Sequence, residues 1–360
     1  MNVLMVLHSH KLGGAERHAL NLMLGLRAAG HQVMFAGPVD SWLAEHCQAE
    51  GLPIAALAMH GFFDLTSMLR LARLARRFAA DILHGHLTRG AHYAGMASRL
   101  CGIPSVATAH STNAGKHFGR ARRIIAASAA VRDFLDACGY PTERIEVIHH
   151  GLAVPSLMPA ARQAFRHAHG IPEHALVFGM VARFVADKGQ DIALRAFATA
   201  GQPGHLILIG DHGTPWGQDM QKLAMELGLG ERVHFIGQQE DVFPALAAMD
   251  VFLAPSRREA LGLSLIEAAG MGLPLLGSQV GGIPEIIATE RNGLLLTPDD
   301  VPAWASAMQR LYEDDRLRQR LGHASCAIYT QRFSPGRMVQ ATETIYRQAI
   351  EDASCTASAS

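Results

Sequence analysis

VFLAPSRREALGLSLIEAAGMGLPLLGSQVGGIPE, residues 251–285, decides how the rest of the chain is read. The apolar run 251–254 predicts a buried strand, which breaks at Pro255-Ser256 into a charged loop carrying Glu259. A short helix is expected from Gly262 or Leu263, bearing Glu267 and stopped by Gly270, Gly272 and Pro274. A second apolar run, 273–276, feeds the turn Gly281-Gly282. Strand, loop, helix start, strand and glycine turn in that order belong to a parallel α/β sheet. Such sheets hold ligands in the loops at the carboxyl ends of their strands. The spacing puts Glu259 on the loop and Glu267 on the first turn of the helix. Ser264-x-x-Glu267 also reads as a capping box, in which Glu267 would serve only the helix.

The same alternation extends in both directions. Upstream, strands are expected at 3–7, 32–36, 53–57, 81–84, 104–109, 123–127 and 144–148, with helices at 15–29, 65–79, 91–100 and 129–138. A loop is expected over 8–14. Between 151 and 172 the pattern lapses into Pro, Ala and His with one short helical piece. It restarts with strands at 175–181, 206–209 and 233–236 and helices at 190–200, 217–227 and near 242–249. The segment 301–350 is charged and mostly helical, with a break at 333–336. Repeated β-α units of this length imply an α/β fold of two doubly wound parallel-sheet domains. The expected divisions are 1–155, a linker at 156–172, a second domain at 173–335, a last helix at 336–352 and a small polar tail at 353–360.

Composition narrows the function classes. A chain of 360 residues, 49% hydrophobic and 18% charged, can build two ordinary cores. Its formal net charge of zero argues against a nucleic-acid binder. The halves differ: residues 1–154 hold 15 Lys and Arg against 10 Asp and Glu, and the remainder has the opposite imbalance. A positive first half suits an anionic acceptor or membrane surface. The run 68–77, MLRLARLARR, is basic and amphipathic, and Arg120, Arg122 and Arg123 add charge; an ordinary helix with a solvated basic face reads the same way. Five scattered cysteines without a Cys-x-x-Cys pair suit a reducing cytosol. The apolar run 3–7 is too short for a signal peptide, and no run reaches the ~18 apolar residues of a membrane span. The expectation is a cytoplasmic protein, with peripheral association at the inner face of the membrane as its extension.

Other motifs carry chemistry. Gly13-Gly14-Ala15-Glu16-Arg17 lies between the first strand and first helix, where paired glycines let backbone approach a ligand and leave amides free. A plain tight turn would look the same. His110 ends a strand in VATAHST, where an open α/β sheet puts its chemistry, and His86 follows the preceding strand in ILHGHLTRG. With 20 histidines in the chain, most are structural or solvent-facing. HSH, HGH and HHG lack acidic partners and are poor evidence for metal. Arg183 and Lys188, after the first strand of the second domain, supply a planar fork and a point charge suited to a leaving diphosphate.

Together these residues resemble a known family. SRREALGLSLIE (256–267) resembles the Glu-x7-Glu signature of retaining glycosyltransferases of family 4, whose GT-B fold is two Rossmann-like domains facing a cleft, with the last helix crossing back to the first domain. Arg183 and Lys188 are similar to its Arg-x4-Lys pair, and Gly13, Gly14 and Glu16 to its GGxE loop. LILIGDHG (206–213), VHFIGQQED (233–241) and GGIPEII (281–287) resemble its remaining turns. The resemblance implies that the helix start at Gly262, Leu263 and Ser264 faces the nucleotide diphosphate, with Gly14 opposite. Glu267 would hold the ribose, Gln238 the base, and Glu259 the donor sugar. His110, Arg183 and Lys188 complete the implied catalytic set, and His86 would line the acceptor side. Ser111 stands where the family usually has an acid or a second histidine.

The implied reaction moves a sugar from a nucleotide-sugar donor, UDP first and GDP-mannose next, to an acceptor hydroxyl in lipopolysaccharide or another surface glycan or glycolipid. No cofactor is expected beyond that co-substrate. No divalent metal is expected either, since no Asp-x-Asp occurs in the chain. A nucleotide-sugar epimerase and a transferase acting on a small soluble acceptor remain open. A nicotinamide oxidoreductase is disfavoured because no GxGxxG follows a strand, and a P-loop NTPase because GxxxxGK[ST] is absent.

Overall fold

The computed structural model describes residues 1–10, 13–113, 115–156 and 159–358. The chain divides into two compact units, Met1–Ala153 with Arg332–Ser360, and Val154–Gln331. Two residues of the loop expected over 8–14, 11 and 12, lie outside the described set, as does the end of the expected tail.

In the first unit β1 (Asn2–Leu7), α1 (Gly14–Ala28), β2 (Gln32–Gly37), α2 (Trp42–Ala49), β3 (Ile54–Ala56) and α3 (Leu65–Arg77) make one half of the sheet and its cover. β4 (Ile82–His86), α4 (Leu87–Cys101), β5 (Ser105–Ala109), β6 (Arg123–Ala126), α5 (Ala129–Ala137) and β7 (Ile145–Val147) make the other. All pairings are parallel, in the order β3-β2-β1-β4-β5-β6-β7. The order reverses between β1 and β4, the point where such sheets open a crevice. β1 is apolar from Val3 onward because helices cover both faces. Val3, Met5 and Leu7 join the core under α1 and the C-terminal helix (Pro335–Ser358), and Leu4 and Val6 join the core under α3 and α4.

β4 runs two residues past the expected 84, since it pairs with β1 as far as Leu7 opposite His86. α4 begins at Leu87, four residues before the expected 91. Gly85 and Gly90 allow this: a Cβ on either would strike the backbone of α4 or of β1. The C-terminal helix continues to Ser358, beyond the expected 352. Arg123 Nε donates to Asp352 Oδ2 at 2.8 Å, and His31 meets Glu343 at 2.7 Å, so the helix is fastened to the unit along its length.

The second unit contains α6 (Pro159–Ala168), β8 (Val177–Val181), α7 (Gln190–Ala200), β9 (His205–Ile209), α8 (Pro215–Glu226), β10 (Val233–Ile236), α9 (Phe243–Ala248) and β11 (Val251–Ala254). α10 (Leu263–Gly270), β12 (Leu275–Ser278), α11 (Ile283–Ile286), β13 (Gly293–Leu296), α12 (Val301–Glu313) and α13 (Asp315–Arg332) follow. The parallel order is β10-β9-β8-β11-β12-β13, again reversing at the first strand of the unit. β12 starts at Leu275 because Gly272-Leu273-Pro274 is taken up in leaving α10. The stretch expected as a linker at 156–172 contains α6, which is built into this unit. Arg166, 1% exposed, donates to the carbonyls of Ala248, Glu173 and Ala175 and to Asp250 Oδ2. An arginine so fully bonded joins the helix to the sheet, which composition alone hides.

Candidate active site

At the switch point of the second unit, the loops after β8 and β11 are knitted together. Gly189, at φ +72°, lies so close to Pro255 that any side chain there would strike its carbonyl. Arg257 N donates to Asp187 O at 2.8 Å. The Arg257 guanidinium grips both Asp191 oxygens (2.9 and 2.7 Å) and bonds Asp299 and Ala186 O. Its bonds to Asp191 raise the guanidinium further above its ordinary range. This scaffold holds Lys188 Nζ 2.6 Å from Glu259 Oε2, both side chains less than one-fifth exposed. Opposite charges meeting at a half-buried loop are screened less than at an open surface.

The start of α10 stands beside them. Gly262 adopts φ +103° as N-cap, and no side chain caps the helix, so its first N–H groups point outward at a positive helix end. The N-cap is Gly262 and not Ser264, which removes the capping-box reading of Glu267. Glu267 is 8% exposed, on the second turn of the helix. Gly281 and Gly282 lie directly on the backbone of Glu259 and Ala260, and Gly282 N donates to Glu259 O at 3.3 Å. Arg183 is exposed on the same loop as Lys188, and its guanidinium makes no bond among the described residues. Gln238 is exposed after edge strand β10, two strands from β8.

In the first unit the site is made of rings. His84 and His86 lie two residues apart on β4 and therefore face the same side of the sheet. His84 bonds Tyr346 Oη (2.6 Å) and Thr108 Oγ1 (2.7 Å). His86 Nε2 lies 2.8 Å from Met5 Sδ, and its Nδ1 lies 3.1 Å from His110 Nε2. His110 Nδ1 lies 3.2 Å from His150 Nε2, and the His18 ring of α1 packs against His150, tilted by 31°, at 4.0 Å between centroids. Burial pushes His84 and His110 down to about 3. Burial, then the neighbouring imidazoles, hold His18, His86 and His150 well below their ordinary value. All five rings are therefore neutral at pH 7. Gly14 opens α1, and Glu16 folds back over Gly13, where a Cβ would sit 2.8 Å from its Oε2.

Residues 161–326 match the family described as glycosyl transferases group 1, and residues 12–154 match glycosyltransferase family 4. The D-inositol 3-phosphate glycosyltransferase of Mycolicibacterium smegmatis is 28% identical over 300 residues, covering 76% of this chain and 68% of that protein. Its counterpart in Mycobacterium bovis strain BCG is 29% identical over 304 residues, covering 75% of this chain; the match spans 62% of that protein's length. The fold matches Anabaena Alr3699/HepE, crystallised in complex with UDP and glucose, with a TM-score of 0.86, 23% identity, and 97% and 100% of the two chains covered. This chain belongs to the GT-B glycosyltransferases of family 4.

In this family 4 glycosyltransferase the fold brings some of the expected residues together and leaves others apart. Lys188 touches Glu259, and a Cβ on Gly262 would lie 3.6 Å from Glu259 Cγ, so the loop, the cation and the helix start form one group. Gln238 follows the edge strand β10, two strands from β8 in the same sheet. His110 and His86 are in direct contact, as their positions at the ends of adjacent strands require. Sequence reasoning missed His18, His84 and His150 as members of one cluster. The HGH and HHG spacings were the available signal. His84 and His86 prove to be strand residues sharing a face.

Proposed function

We propose that this chain is a retaining transferase that moves a sugar from a nucleoside diphosphate, UDP first, to an acceptor hydroxyl without a divalent metal. The observation that carries the reading is the Lys188–Glu259 pair beside the uncapped start of α10, at the switch point of the second sheet. Breaking a sugar–phosphate bond builds negative charge on the diphosphate, and preorganised positive groups stabilise it. Lys188, Arg183 and the N–H groups at Leu263 and Ser264 supply that charge. Glu267 accepts from the ribose hydroxyls, Gln238 meets the base, and Glu259 takes hydroxyls of the donor sugar. The departing phosphate guides the acceptor to the donor's own face, which gives retention; His110 is assigned to catalysis and Gly14 to donor binding. The UDP in the Anabaena complex supports the choice of base.

Two acceptor readings have an observation each. Phe63 (91% exposed), Leu65 (67%) and Leu69 lie open to solvent next to Arg70, Arg73 and Arg77 on α3, a surface suited to an anionic glycolipid bilayer. The mycobacterial relatives are named for D-inositol 3-phosphate, which favours a small phosphorylated polyol. No helix among the described residues is long and apolar enough to cross a membrane. The test has three parts: thermal shift with UDP, GDP and ADP, product anomer by NMR, and turnover in EDTA. UDP should stabilise most, the anomer should match the donor's, and EDTA should not lower the rate. No stabilisation by any of the three nucleotides, or activity abolished by EDTA and restored by Mn²⁺, overturns the proposal. Sedimentation with anionic but not neutral vesicles selects the bilayer reading; equal sedimentation removes it.

A further inference from the structure

We propose that His18, His86 and His110 form a binding site for a borderline-soft divalent transition metal of the zinc class, with a fourth position left open. A ring nitrogen of each lies within 4.8 Å of a ring nitrogen of both others. His86 Nδ1 and His110 Nε2, 3.1 Å apart, already approach the ~3.3 Å edge of a tetrahedron built on zinc–nitrogen bonds of ~2.0–2.1 Å. Both ring nitrogens of His18 are buried and have no hydrogen-bond partner among the described residues. A buried imidazole with neither nitrogen bonded is unusual, and a metal accepts the lone pair that nothing else there uses.

The neighbours fit the same assignment. Met5 Sδ can only accept, so His86 carries its proton on Nε2 and turns the Nδ1 lone pair toward His110. Without a metal, His110 Nε2–H donates to that lone pair, and His110 Nδ1 accepts from His150 Nε2–H. A metal between His86 and His110 requires the other tautomer of His110, in which Nε2 ligates and Nδ1–H donates to His150 Nε2. Each of these two ligands then directs its remaining N–H to a fixed partner, Met5 for His86 and His150 for His110. Such outer partners orient metal-bound imidazoles. Three imidazole ligands select zinc, cobalt, nickel or copper over magnesium and calcium, which take oxygen. Binding does not rest on the transferase reading. On that reading, occupation removes His110 from the sugar, and the metal is an inhibitor.

The experiment titrates Co²⁺ into chelator-stripped full-length protein and follows its visible absorption. One equivalent should bind with the spectrum of a low-coordinate nitrogen site and be displaced by Zn²⁺. His18→Gln and, separately, the half-buried His110→Gln should each weaken binding at least ~10-fold. His234→Gln, which removes the ring contact with His205 in the second unit, should leave it unchanged. Circular dichroism checks that each variant is folded; if His18→Gln does not fold, His110→Gln decides. No stoichiometric Co²⁺ signal in the wild-type protein, undiminished binding in the folded variants, or loss in His234→Gln overturns the assignment. Nucleotide stabilisation is not read here, so this result and that of the UDP test stand apart.

Discussion

The second unit concentrates opposite fixed charges on two neighbouring loops, while the first gathers neutral rings from α1, β4, β5 and the segment after β7. The two arrangements place different demands on sequence. A charged pair needs rigid loops, and rigidity here comes from glycines pressed onto backbone and from one multiply bonded arginine, which tie the loop after β8 to the loop after β11. A ring cluster needs neighbouring strands to end at the same level, which no local spacing records. The charges are held in contact with each other and the rings are kept neutral by burial, so the two sites should respond to different perturbations.

Charge reversal should have the largest effect. Lys188→Glu puts a second carboxylate against Glu259 and removes the cation, and turnover should fall by roughly 10³-fold. A steady-state loss under tenfold would break the claim that fixed charge in the second unit carries the chemistry. Acid should act on the first unit instead. The unfolded chain takes up protons on these histidines as pH falls through 6.5, whereas folded His84 and His110 do so only near 3. Their contribution is complete above 6.5 and is lost between 6.5 and 3. Lowering the pH from 8 to 5 should therefore cost about 2 kcal/mol for each. Denaturant melts at the two pH values, with chelator present, check this; equal midpoints would sink it.

Gly281→Ala sharpens the comparison from the other side. Gly281 has φ +53°, and its Cβ would land on the Glu259 carbonyl, so the second unit should lose about 1–2 kcal/mol from backbone conformation alone. A denaturation midpoint unchanged from wild type would show that the glycine turn does not support the loop. The smallest expected effect is Glu267→Ala, which should weaken UDP binding by on the order of 1 kcal/mol through lost hydrogen bonds. Calorimetry showing wild-type affinity would remove Glu267 from the ribose.

Much of the second unit was legible because turn residues punctuate it. The helix at 190–200 and the strands at 233–236 and 251–254 fall where glycine, proline and apolar runs placed them. The first unit was read less completely. α2 was not expected at all, although Ser41 caps it by accepting from Ala44 N. The early start of α4 depends on Leu87 adopting φ +59°, which apolar periodicity gives no reason to expect. His18 has no signal, since one histidine on an amphipathic helix looks like any other until the ends of β4 and β5 arrive beneath it. Arg166 was invisible for the reverse reason: its partners are backbone carbonyls, which every sequence has.

The C-terminal helix gives the two units different histories during synthesis. Val154–Gln331 is a single uninterrupted stretch and can complete its core as soon as it leaves the ribosome. The other unit begins first and finishes last, because Ile345, Tyr346 and Ala349 fill the core under β1 and Tyr346 bonds His84. Until those residues emerge, the face of β1 bearing Val3, Met5 and Leu7 lacks part of its cover. The early half of the chain must then wait through translation of the whole second unit with that apolar face partly open, which is the interval in which a nascent chain most needs a chaperone.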